Sequence, residues 1–267
     1  MKRVLLTGAT GFVGANLARR LLADGHEVHC LVRPGHASWR LEAIRRDVRL
    51  HEAALTDAAG LVALLGRVRP DWVFHLAVHG AYSTQTALDV MVQTNVVGTI
   101  NLVQAALAHG VEALVNTGSS SEYGFKDHAP AETEWLEPNS DYAVTKASAT
   151  LFCRYTGQSQ GAPVRTLRLY SVYGPWEEPS RLLPTILRRA RAGLPLEMAA
   201  PDAAHDFVYV DDVLDALTDV ERLPGASGEV FNLGTGVQST LRDVVAAVQA
   251  AVGDRSEVRW GALPPRR

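Results

Sequence analysis

Cysteine is almost absent: Cys30 and Cys153 are the only two in 267 residues. They stand far apart and no C-x-x-C spacing occurs, which argues against a disulfide framework and against a thiolate zinc site. No cluster of ligand-type side chains suggests any other metal. An excess of one charge is lacking too. The formal net charge is −3, so no strong field draws the chain to nucleic acid or to an anionic membrane. Short basic pairs such as Arg45–Arg46 and Arg188–Arg189 read as solvated helix faces. No uninterrupted apolar run approaches the roughly 18 residues of a membrane helix. Met1, Lys2 and Arg3 lead straight into a strand, and Gly8 and Gly11 break the apolar run early. A signal-peptide core is not formed, and a reducing cytoplasm is the expected compartment. Internal repeats and low-complexity tracts are also missing. What is present is ordinary globular material, 47% hydrophobic and 21% charged, enough for a large domain with a sizeable core.

Strand and helix alternate through the first two-thirds. The runs 3–7, 27–32, 48–53, 71–77, 113–118 and 164–170 are aliphatic and β-branched, as expected of buried strands. Helical periodicity fills 12–24, 57–67, 85–108 and 140–157. Helix 85–108 carries Leu88, Val92, Val96, Ile100, Val103 and Leu107 at steps of three and four. This alternation predicts an α/β fold, a doubly wound parallel sheet with helices on both faces. After Tyr170 the texture changes. The proline-rich, charged stretch 174–184 precedes shorter elements: helices at 185–192, 211–222 and 240–251, strands at 206–209 and 229–234. The expected division is a nucleotide-binding domain over 1–173, with 206–224 returning to it, and a smaller substrate-binding lobe over 174–205 and 225–267.

The stretch "TGATGFVG" (7–14) joins the first strand to the first helix. Gly8, Gly11 and Gly14 let the backbone turn tightly and approach a pyrophosphate, which the free N–H groups of the helix start then bind. The spacing is GxxGxxG and not the GxGxxG fingerprint, so its position between strand and helix carries the inference. Thr10, Phe12 and Val13 complete the candidate cofactor loop. The second strand ends at Arg33 with no acid. An arginine there suits a ribose 2′-phosphate, which favours NADP(H) and leaves NAD(H) possible. The alternative for Arg33 is a solvent-facing strand end.

Strand five runs into "NTGSSSEYG" (116–124) on the edge where such sheets bind ligands. A helix follows with Tyr142 and Lys146 four apart, hence on one face. A tyrosine has a pKa of about 10. A nearby ammonium favours its phenolate and makes it a usable acid or base. A serine hydroxyl can hold the reacting oxygen. His79, Tyr82 and Ser83 follow strand four on the same edge and are candidates to touch substrate, or merely loop residues.

With "FHLA" (74–77), "TNVVGTINLVQAA" (94–106), "YAVTK" (142–146), "LRLYSVYGP" (167–175), "HDFVYVDDV" (205–213) and "FNLGTG" (231–236), the chain resembles, over nearly its whole length, an extended short-chain dehydrogenase/reductase of the nucleotide-sugar epimerase, dehydratase and reductase group. The resemblance implies a Rossmann fold. It makes Tyr142 the acid/base, Lys146 its pKa tuner and ribose ligand, and Ser119 the active-site serine, with Ser120 a second candidate. It extends the cofactor site to Leu55, Leu76, Ala77, Tyr170 and Val172, and the sugar and diphosphate site to Ser171, Arg181 and Arg266. It implies a homodimer built on the long helix and the Tyr/Lys helix. Similar 4,6-dehydratases carry acids just after the serine or threonine; here Ser120 and Ser121 stand there, and Glu122 reads as a cap or loop hydrogen bond. His205 stands where members often have arginine, Ser171 where many have asparagine, and Ala54 where an aspartate is common. The expected reaction is NADPH-dependent reduction of a nucleotide-linked 4-keto-6-deoxyhexose, as in CDP-abequose and paratose synthases. The alternative is an NAD-dependent 4-epimerase; a non-catalytic NADP-binding sensor is third.

Overall fold

Aliphatic runs become strands here because the central ones are covered on both faces. In chain order the computed structural model contains β1 (Arg3–Thr7), α1 (Phe12–Ala23), β2 (Glu27–Val32), β3 (Arg49–Glu52), α2 (Ala58–Val68), β4 (Trp72–His75), α3 (Leu88–Met91), α4 (Gly98–Ala108), β5 (Ala113–Ser119), α5 (Asp141–Gln160), β6 (Val164–Leu169), β7 (Ser171–Tyr173), α6 (Leu182–Arg191), β8 (Leu196–Met198), β9 (Ala204–Tyr209), α7 (Val210–Thr218), β10 (Val230–Leu233), β11 (Gln238–Thr240), α8 (Leu241–Val252) and β12 (Val258–Trp260). It describes residues 1–36, 39–82, 84–219, 227–253 and 256–263.

Two compact units emerge: Met1–Leu169 with Val210–Leu233, and Tyr170–Tyr209 with Gly234–Arg267. The first holds a seven-stranded parallel sheet in the order β10-β6-β5-β4-β1-β2-β3. The expected doubly wound sheet is therefore present, and the order reverses between β1 and β4. In such sheets the crevice beyond the C-terminal strand ends at that point is where ligands bind. The strand over 230–233, expected in the smaller lobe, instead pairs with β6, because Val230–Leu233 continues the parallel ladder at Thr166–Leu169. Residues 206–209 pair as part of β9 with β7 and β11 in the second unit.

The helices are held by different means. Helix α2 buries Leu61, Leu64, Leu65 and Val68, which join Leu5, Val73, Leu102 and Leu114 in one apolar cluster. Each such side chain contributes about 1.5–3 kcal/mol on burial. Asp57 caps its first turn by accepting from the Gly60 N–H. Helix α5 is capped by Ser140 and ends at Gly161 in the left-handed conformation. The segment expected as one helix over 85–108 begins at Leu88 and is interrupted. Residues Val92–Val97 form a π-turn between α3 and α4, a feature common where a helix must aim a side chain at a site. By length and composition Leu88–Ala108 would suffice to cross a membrane. In the fold it packs on α2 and α5.

The second unit contains the sheets β11-β9-β7 and β12-β8. Its core joins Ile186 and Ala190 of α6 to Leu241, Val244, Val245 and Val248 of α8.

Candidate active site

One register row across the large sheet is polar although it lies in the core. Thr7 pairs with His75, His75 with Asn116 and Asn116 with Thr166, across β1, β4, β5 and β6. All four are buried. Buried polar groups persist when their hydrogen bonds are made, and the partners here have a definite direction. The Ala77 N–H donates to Thr7 Oγ1, which lies 2.7 Å from His75 Nδ1. His75 Nε2 lies 2.9 Å from Thr99 Oγ1, and Thr99 donates its own proton to the Asn95 carbonyl. Thr99 therefore accepts from Nε2–H, and His75 Nδ1 accepts from Thr7. Burial, with Lys146 adding to it, pushes the His75 pKa down to about 3. A neutral imidazole is what this relay requires.

Asn95 extends the relay. It sits in the π-turn, accepts from the His79 N–H, and donates to the His79 carbonyl and to Thr145 Oγ1. Thr145 in turn donates to the Tyr142 carbonyl. A continuous set of hydrogen bonds thus runs from the glycine-loop strand to the Tyr142 backbone. The residues carrying it, Thr7, His75, Asn95, Thr99 and Thr145, are not among the candidates named from sequence. The local hints are faint, Asn95 and Thr99 at i and i+4 in an apolar helix and a histidine inside an aliphatic strand, and the pairing of Thr7 with His75 needs the strand register.

The glycine loop fits a dinucleotide. Gly8 has φ +75°, and a Cβ there would lie 2.5 Å from the Leu76 carbonyl carbon. A Cβ on Gly14 would lie 2.2 Å from the Gly8 carbonyl oxygen. The turn therefore needs both glycines, and it brings Leu76 and Ala77 against itself. Helix α1 starts without a side-chain cap and without an acid in its first turn, so its N–H groups suit a pyrophosphate. Thr10 gives its carbonyl to the buried Arg40. Phe12 and Val13, both half-buried, form the first helical positions. Leu55 packs under α4, where a Cβ at Gly98 would lie 2.8 Å from it.

Lys146 is buried on α5, and its Nζ donates to the Thr117 carbonyl. Burial lowers its pKa, opposed by the charge of Glu122 and by Cys153. Tyr142, one turn earlier, is half-buried. Ser119 ends β5 and caps the 3₁₀ turn Ser120–Tyr123; its Oγ accepts from the Ser121 N–H and lies 2.8 Å from Ser121 Oγ. Ser120 is half-buried in that turn. Glu122 is fully buried. It accepts from the Ser119 N–H and Thr150 Oγ1, and pairs with Arg168 at 2.7 Å.

Arg33 is exposed. His79 is held by Asn95, and the Tyr82 N–H donates to Gln85. Tyr170, Ser171, Val172 and Arg181 belong to the second unit; there Ser171 and Val172 lie in β7 and Arg181 precedes α6. Ser83 and Arg266 lie outside the described residues. Among the described residues no group of three or more His, Cys, Asp or Glu is placed to hold a metal ion.

A doubly wound sheet with a glycine turn at its switch point and a Tyr/Lys helix beside it is the frame of a dinucleotide-dependent enzyme. The family model for the NAD dependent epimerase/dehydratase family matches residues 4–234, and the chain belongs to that family. It is accordingly an enzyme of the oxidoreductase or epimerase type. It is 32% identical to UDP-glucose 4-epimerase of Mycolicibacterium smegmatis, covering 99% of this chain and 86% of that one. It is 31% identical to dTDP-glucose 4,6-dehydratase of Streptomyces griseus, covering 97% and 80%. Among solved structures it is similar to the Thermus thermophilus UDP-glucose 4-epimerase in complex with NAD, with a TM-score of 0.84, 31% identity and coverage of 99% and 87%.

Proposed function

We propose that this protein is a nucleotide-sugar 4-epimerase acting on a UDP-hexose with NAD kept bound through the cycle. The observation that carries the choice is the engagement of Glu122. Elimination of water in the 4,6-dehydratase manner needs an acid after the active-site serine. Here Ser120 and Ser121 occupy those positions, and the next acid is consumed by Ser119, Thr150 and Arg168. Epimerisation needs only a hydride carrier and one acid/base.

NAD, when bound, supplies the acceptor and then the donor of a hydride. Gly8, Gly11, Gly14 and the start of α1 hold its pyrophosphate. Tyr142 takes the proton from the sugar C4 hydroxyl and gives it back to the C4 oxygen on the return. The Lys146 ammonium favours the phenolate of Tyr142 and binds ribose hydroxyls. Ser119 Oγ accepts from the Ser121 N–H, and its hydroxyl can turn its own proton to the C4 oxygen. Ser171 and Arg181, in the second unit, are the residues we propose for the nucleotide-sugar, an arginine fork being suited to a diphosphate.

The NADPH-dependent ketoreductase expected from sequence rested on Arg33 and on a resemblance of the stretches around Ser119, Tyr142 and Tyr170 to CDP-abequose and paratose synthases. The Arg33 side chain is exposed, and the similar epimerase structure is a complex with NAD. NAD is therefore the cofactor proposed. We also propose a cytoplasmic homodimer. Both thiols are free and buried, and Val144, Leu151 and Tyr155 of α5 are exposed, as are Leu88, Val90 and Val92.

The test is proton NMR of UDP-glucose incubated with purified protein and no added cofactor. UDP-galactose should appear until the two sugars equilibrate. Inertness toward UDP-hexoses, with NADPH consumed on a nucleotide 4-keto-6-deoxyhexose, would replace epimerase by ketoreductase.

A further inference from the structure

We propose that Glu122 is a positioning residue for this site, locking the Ser119 turn to helix α5 and setting the charge that faces Lys146. The proposal rests on the acid/base reading of Ser119, Tyr142 and Lys146. The carboxylate is fully buried and joins three elements. Oε1 accepts from the Ser119 N–H at 2.8 Å and from Thr150 Oγ1, one turn beyond Lys146, at 2.9 Å. Oε2 accepts from Arg168 Nε on β6 at 2.7 Å. Arg168 lies over the Tyr123 ring and donates to the Tyr123 hydroxyl, and Tyr123 donates to Asn232 on β10. Backbone space is reserved for the pair: a Cβ on Gly118 would lie 2.7 Å from Glu122 Oε1 and 2.9 Å from Arg168 Cγ.

The groups acting on Lys146 are Glu122 from the serine turn and Cys153 from α5, and Lys146 acts in turn on His75 of β4; Arg168 of β6 stands behind Glu122 as its partner. Cys153 is held as a thiol, its pKa raised to about 12 by burial. His75 is neutral, for its pKa is about 3. Glu122 is thus the anion that offsets the burial of the Lys146 ammonium. Without it Lys146 releases its proton at lower pH, and the alkaline limb of turnover moves to lower pH with it.

The test compares wild type with Glu122→Gln and with the double variant Glu122→Gln/Arg168→Met. The single change strands a buried arginine and is prone to unfold; the double change removes that arginine charge as well. Lys146 is titrated by NMR of protein carrying ¹³C-labelled lysine, assigned with Lys146→Arg. Its midpoint is expected to fall by on the order of one pH unit in Glu122→Gln, and by less in the double variant, which also loses the Arg168 cation. The alkaline limb of kcat should shift equally, with KM little changed. Thr150→Val, which removes one donor and no charge, should lower kcat without moving the midpoint. Wild-type Lys146 titration and a wild-type alkaline limb in every variant that folds, Glu122→Gln included, overturn the proposal. If the wild type fails to epimerise UDP-glucose, the functional reading falls, while the Lys146 titration still decides the role of Glu122.

Discussion

Helices α2 and α5 both cover the large sheet, yet their buried faces have little in common. Helix α2 presents Leu61, Leu64, Leu65 and Val68. Helix α5 buries Thr145, Lys146, Thr150 and Thr156 among alanines and Cys153. The first is held by area removed from water, which is non-directional. The second is held by named hydrogen bonds: Thr145 to Asn95, Lys146 to Thr117, Thr150 to Glu122. Polar burial stabilises little net but is costly when one partner is lost. A helix built this way fixes the position of Tyr142 and Lys146 more narrowly than an apolar seam would. Stability and chemistry should therefore separate along the two helices.

The largest effect should come from α5. Tyr142→Phe removes one hydroxyl and should lower kcat by about 10²–10⁴, with the thermal midpoint and NAD binding retained; steady-state kinetics and a melting curve check both halves. In α2 the pattern should invert. Leu64→Ala leaves a cavity and should cost about 2–5 kcal/mol in urea unfolding, while kcat of the folded fraction stays near wild type. A Leu64→Ala protein that is stable but inactive would erase the contrast.

Acid should reach the polar side first. His75 is neutral in the fold, its pKa held at about 3 against an ordinary 6.5. The unfolded chain therefore binds the extra proton as pH falls through that window. Stability is complete above about pH 6.5 and is lost toward pH 3, by about 1.4 kcal/mol per unit from this group. Burial lowers His29 and His51 in the same sense. Urea midpoints at several pH values should show a shallower slope in His75→Gln than in wild type. The smallest effect is expected at Ser120, which no relay described above uses. Ser120→Ala should change stability by no more than about 0.5 kcal/mol and leave turnover nearly intact. A large loss there would move the serine role from Ser119 to Ser120.

The contrast also explains what the sequence disclosed. The strands were legible because central parallel strands are continuous aliphatic runs, and α2 because its apolar period is regular. The glycine turn and the Tyr/Lys spacing were legible because each is local in sequence. The π-turn at Val92–Val97 was not, since the apolar steps run through it without a break. The relay through Thr7, His75, Thr99, Asn95 and Thr145 was hidden for a different reason. Each member is an ordinary residue locally, and only strand register brings Thr7 opposite His75. Strand Val230–Leu233 was assigned to the wrong unit because its partner β6 lies far away in sequence. Arg33 left the cofactor open, because a charge at a strand end says nothing of whether it faces a ribose or water.

The central claim is that one bound cofactor takes hydride from C4 and returns it to the same carbon. The direct measurement is the fate of deuterium placed at C4 of UDP-glucose, followed by NMR with unlabelled NADH and NADPH in the medium. The account predicts UDP-galactose with the deuterium still at C4. Loss of the label from the sugar, or its appearance in the free dinucleotide, would contradict it.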